Sequence, residues 1–159
     1  MFSVDARPLR LSSVDGVAMN SPRLKSKASY RPLRILCAED NVSIGELMVL
    51  VFRKAGHVAE HATDGLAAWH RLSQDFAQFD VIVTDHQMPG LDGLMLVERL
   101  RQSAYRGRII VQSANLTPRQ AERYRALGVS TIAGKNLKPD ELLRLLDPSL
   151  AAQTPACPR

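Results

Sequence analysis

Five short apolar runs, rich in β-branched residues, alternate with five segments of helical apolar spacing, and this alternation restricts the fold more than any other feature. The runs are Ile35-Leu36-Cys37-Ala38, His57 to His61, Val81-Ile82-Val83-Thr84, Ile109-Ile110-Val111 and Ser130 to Ala133. Each has the length of a buried strand, and none approaches the roughly 20 residues of a membrane span. Strands that alternate with helices predict a doubly wound α/β fold: a five-stranded parallel sheet, covered on both faces, with right-handed crossovers and five helices.

The helices are bounded by local signals. Ser43 is placed to cap the first, in which Ile44, Leu47, Met48 and Val51 form a core-facing stripe ending near Gly56. Asp64 caps the second, with Leu66, Trp69 and Leu72 on its apolar side. Met88 to Gly93 is a Pro- and Gly-containing loop before a helix with Leu94, Val97 and Leu100. Thr117-Pro118 is an N-cap and first-position pair for a helix through Leu127, stopped by Gly128, and the last helix runs from Pro139 to Leu146.

A chain of 159 residues is most economically one domain, expected over residues 33–148, with no room left for a second. Residues 1–32 lack any sustained period and hold six basic against two acidic side chains, which predicts a disordered basic extension. Residues 33–148 hold 14 basic and 14 acidic side chains, so the net charge of +5 belongs to the ends. Direct nucleic-acid binding is therefore not expected. Residues 149–159 read as a short flexible tail, and Cys37 and Cys157 make a poor disulfide framework. The absence of an apolar leader or span points to a cytoplasmic protein without membrane insertion.

Chemistry collects at the ends of the runs: Glu39-Asp40 after the first, Asp85 after the third, Ser113-Ala114 after the fourth and Lys135 after the fifth. In an open parallel sheet, functional groups gather beyond the carboxyl ends of the strands. If the first and third strands are neighbours, the carboxylates lie close together. Two like charges about 5 Å apart repel by roughly 3 kcal/mol at an effective dielectric near 20, so a cation is expected among them. Hard oxygen donors suit Mg2+, with Lys135 assisting.

On these residues, together with Met88-Pro89-Gly90 and Asp92-Gly93 following Asp85, residues 33–148 resemble the receiver domain of two-component response regulators, of the stand-alone type. The resemblance implies a flavodoxin-like strand order 2-1-3-4-5. It implies that Asp85 is the phosphoacceptor, and that Glu39, Asp40, Asp85 and the backbone carbonyl of Gln87 hold Mg2+. Lys135 and Ser113 then contact the phosphoryl group, Ser113, Ala114 and Ile132 belong to the switch, and Gln87 and Asn115 tune the lifetime. The implied partners are a histidine kinase or histidine phosphotransfer protein and a downstream protein target, reached through the face of helix 4, strand 5 and helix 5. Enzymatic activity is limited to self-catalysed phosphoryl acceptance and loss. An unphosphorylated interaction module and a phosphate sink or relay intermediate are the alternatives.

Two positions depart from that family. Lys135 precedes Asn136 where the family has a cis proline, and Ile132 stands where a switch aromatic is usual. Other phosphate-handling α/β folds fit less well: a Gly-x-Gly-x-x-Gly loop is absent, and Gln87 occupies the second place of an Asp-x-Asp pair. The four histidines lie on different elements without ligand spacing, although His86, beside Asp85, is placed to shape the pocket mouth or a partner contact.

Overall fold

A computed structural model describes residues 31–147. The expected extension over 1–32, apart from Arg31 and Pro32, and the expected tail over 149–159 with Cys157 lie outside the described residues. Strands β1 (Arg34–Ala38), β2 (Val58–Ala62), β3 (Val81–Asp85), β4 (Arg108–Gln112) and β5 (Thr131–Ala133) form one parallel sheet in the order β2-β1-β3-β4-β5. Helices α1 (Val42–Lys54), α2 (Gly65–Gln74), α3 (Gly93–Gln102), α4 (Pro118–Ala126) and α5 (Pro139–Arg144) connect or follow them. The expected doubly wound architecture and strand order are both present.

Successive strand side chains point to opposite faces, and both faces are buried. Leu36, Ala38, Ile82, Ile109 and Val111 pack with Leu72, Leu96, Leu100 and Tyr124 of α2, α3 and α4. Ile35, Cys37, Val81, Val83 and Ile110 pack with Met48 and Phe52 of α1 and Leu142 of α5. Near-continuous apolar strands are what such a two-sided core requires.

Several details differ from the expectation. Asn41, not Ser43, caps α1: its side chain accepts from the Ile44 N–H at 3.2 Å. The buried face of α1 is Gly45, Met48 and Phe52, whereas Leu47 is 56% and Ile44 37% exposed. This helix is apolar almost all round, so periodicity permitted more than one stripe, and the sheet selected the one that buries the Phe52 ring. On α2 the buried residues are Gly65, Ala68 and Leu72, while Leu66 is exposed and Trp69 half-buried beside Phe76. A 3-10 turn over Phe76–Gln78, capped by Asp75, was not anticipated. The helix ending at Arg144 stops short of Leu146. No described peptide is cis, so the Lys135–Asn136 bond is trans, as expected for a bond that does not precede proline.

The elements that frame the strand ends begin with well-formed caps. Asp64 accepts from the Ala67 N–H at 2.6 Å, Asp92 from the Met95 N–H at 2.7 Å, and Thr117 and Gln120 form a reciprocal capping box on α4. Gly128, at φ +73°, takes the left-handed conformation that ends α4, where an L side chain is disfavoured.

Candidate functional site

Parallel register brings the strand-end residues together. Ala38 pairs with Thr84, so the next residues, Glu39 and Asp85, emerge side by side. Asp85 pairs with Gln112 and Gln112 with Ala133, which puts Ser113 and the segment leading to Lys135 at the same rim. One carboxylate oxygen each from Glu39, Asp40 and Asp85 lies within 4.8 Å of the others. Glu39 and Asp85 are buried and Asp40 is exposed, so the cluster has a wet side and a dry side.

Lys135 spans the dry side. Its Nζ donates to Asp85 Oδ2 at 2.6 Å and to Glu39 Oε1 at 3.0 Å. The Asn41 N–H also donates to Glu39 Oε1, at 3.3 Å. Burial pushes the Glu39 carboxyl above its usual range; the Lys135 bond and charge draw it back, while the Asp85 charge adds to the rise. Burial alone lowers the affinity of the Lys135 ammonium for its proton. The bonds and charges of Asp85 and Glu39 outweigh that and leave its pKa raised.

Three carboxylates against one ammonium leave the cluster short of positive charge. The donors are hard oxygens, the exposed Asp40 opens toward solvent, and Mg2+ prefers a few carboxylates with several waters retained. The residues fit such an ion. Helix α1 begins directly after Asn41, and the positive end of its dipole favours negative charge nearby.

The other expected residues sit around this core. Ser113 is buried, donates its N–H to the Ala133 carbonyl at 3.0 Å, and accepts from the Asn115 N–H at 3.2 Å through Oγ. Ala114 and Asn115 are exposed beyond β4, and Gln87 is exposed two residues after Asp85. Ile132 is not at the pocket: it is half-buried and packs against the core on the α2–α4 side of the sheet.

His86, beside Asp85, is only 5% exposed. Its Nδ1 shares a 2.8 Å hydrogen bond with the hydroxyl of buried Tyr124 on α4, the two rings meeting edge to face at 79°. Burial raises the Tyr124 phenol far above its ordinary pKa, helped by the charges of Asp92, Asp85 and Glu98, so it stays protonated. Tyr124 escaped the sequence reading, since nothing local marks an arginine-rich helix residue as the partner of a strand-end histidine. His61, one of the four histidines without ligand spacing, places its Nε2 2.8 Å from the Glu39 carbonyl oxygen.

The model described as "Response regulator receiver domain" matches residues 35–147. Sensory/regulatory protein RpfC of Xanthomonas campestris is 28% identical over 153 residues, covering 90% of this chain and 20% of that protein. Transcriptional regulatory protein TctD of Salmonella typhimurium is 34% identical over 114 residues, covering 71% of this chain and 48% of that one. The chain thus spans less than half of either relative. The solved structure of Vibrio cholerae chemotaxis protein CheY4 superposes with a TM-score of 0.67 at 29% identity, covering 73% of this chain and 97% of that one. Among the described residues, no helix is long and apolar enough to cross a membrane. The sheet order, the acidic rim with its bridging lysine and the family match over 35–147 agree, and the chain belongs to the response regulator receiver domain family of two-component systems.

Proposed function

We propose that this receiver accepts a phosphoryl group on Asp85 from a histidine kinase or histidine phosphotransfer protein in the cytoplasm, with Mg2+ held by Glu39, Asp40, Asp85 and the Gln87 carbonyl. The observation that carries this reading is the buried Asp85 carboxylate, bonded to Lys135 at 2.6 Å with two further acids within 4.8 Å.

An Asp85 carboxylate oxygen attacks phosphorus as the bond from phosphorus to the donor breaks, and the donor group leaves with that electron pair. Lys135, bonded to Asp85, faces the charge that spreads over the phosphoryl oxygens. Bound Mg2+ would supply further positive charge to those oxygens and orient them. Glu39, almost wholly buried, holds the same Lys135 ammonium through a second ion pair. Ser113 turns its hydroxyl from its own loop toward a phosphoryl oxygen, and the segment around Ala114 follows it. The shift reaches the face made by α4, β5 and α5, where a downstream protein binds. Exposed Gln87 and Asn115 flank the approach of water and so set the acyl phosphate lifetime. Acceptance and hydrolysis are self-catalysed, without turnover of a separate substrate.

Incubation of the full chain with a small acyl phosphate and Mg2+, followed by intact mass measurement, tests this. One phosphoryl increment is expected, lost on Asp85→Asn and on chelation of the metal. No increment in the native protein would instead favour an unphosphorylated interaction module.

A further inference from the structure

His61 occupies the penultimate position of β2, and its ring lies beneath the first turns of α1. Its Nε2 is 2.8 Å from the Glu39 carbonyl oxygen. A carbonyl oxygen only accepts, so Nε2 carries the proton and donates. A Cβ at Gly45 would stand 2.1 Å from Nε2, 2.4 Å from Cδ2 and 2.5 Å from Cε1 of this ring. Glycine is among the least favourable residues in a helix, and here its missing side chain is the space the ring occupies. Any larger residue at 45 drives the imidazole off Glu39.

The same strand end also takes the other backbone group of Glu39, whose N–H donates to the Ala62 carbonyl at 3.1 Å. The carbonyl that His61 holds belongs to the planar peptide joining Glu39 to Asp40, so anchoring it sets the direction in which Asp40 leaves the strand. We propose that His61, seated by Gly45, is a positioning residue for the acidic pocket: it aims the carboxylates of Glu39 and Asp40 at the cation site. This inference rests on the reading of Glu39, Asp40 and Asp85 as a Mg2+ site. It assigns no role in proton transfer to His61, which acts through the backbone of a proposed ligand.

The test is calorimetric Mg2+ titration of the full chain, paired with melting temperatures in chelator. His61→Ala and Gly45→Ala are each expected to weaken Mg2+ binding about tenfold, the usual effect of losing an outer partner of a ligand. His61→Gln, whose amide can still donate to the carbonyl, is expected to lose less. In the double variant the added methyl meets no ring, so Mg2+ affinity should equal that of His61→Ala alone while the helix gains stability. Wild-type Mg2+ affinity in both His61→Ala and Gly45→Ala overturns the proposal, even if melting temperatures fall, because that pattern belongs to packing alone. Absence of Mg2+ affinity in the native protein is a different result and sinks the metal-site reading beneath it.

Discussion

Asp40 is exposed, whereas Glu39 and Asp85 are buried against Lys135. Its charge therefore adds repulsion within 4.8 Å of the two carboxylates that Lys135 bridges. In chelator, Asp40→Asn should stabilise the fold by about 1 kcal/mol in urea melts, water screening the rest of the Coulomb term. His57 presents the opposite problem. It is buried, and its Nδ1 accepts the Leu33 N–H at 3.1 Å, which only an unprotonated nitrogen can do. Burial lowers its pKa from 6.5. The unfolded chain then binds the proton more readily, so stability contributed by neutral His57 is present above about pH 6.5 and is lost as pH falls below it. Chemical denaturation between pH 7.5 and 5 should show that loss, and His57→Gln should flatten it. The upper limit lies about 1 unit above the ordinary histidine value and the lower about 1.5 units below it.

Helix α4 owes its placement to one buried side chain. Tyr124 is the buried residue of Pro118–Ala126, and its hydroxyl meets His86. Other ties are peripheral: Arg123 pairs with Glu98 at the surface, and Arg101 donates to the Leu127 carbonyl at 2.6 Å. Tyr124→Phe leaves His86 Nδ1 buried without its partner and should cost about 1–3 kcal/mol by denaturant melts, with faster amide exchange across α4. An unchanged midpoint and unchanged exchange would show that the bond carries no net stability. The ends of this helix were readable beforehand because caps act locally: Thr117-Pro118 opens it and Gly128 stops it. The buried face of α1 was not. Val42, Ile44, Leu47 and Leu50 remain exposed beside buried Met48 and Phe52, and a helix with apolar residues on several sides does not announce which side meets the sheet.

For the whole domain, a ligand that binds only the folded state raises stability by mass action. At a Mg2+ concentration about 100 times its dissociation constant, the gain should be about 2.7 kcal/mol, reversed by chelator and absent in the Asp85→Asn, Asp40→Asn double variant. A melting temperature insensitive to Mg2+ would contradict the proposed site. Much of this molecule was legible in one dimension, because strand length, helix spacing, caps and acids at strand ends are properties of neighbouring residues. From them came the parallel sheet and the convergence of Glu39, Asp40, Asp85 and Lys135, since parallel strands deliver their ends to one rim, while the strand order came from the family resemblance. The bonds from His61 to Glu39, 22 residues apart, and from His86 to Tyr124, 38 apart, had no such signature. They arise when helices settle onto the sheet, and close packing then decides which ring finds which partner.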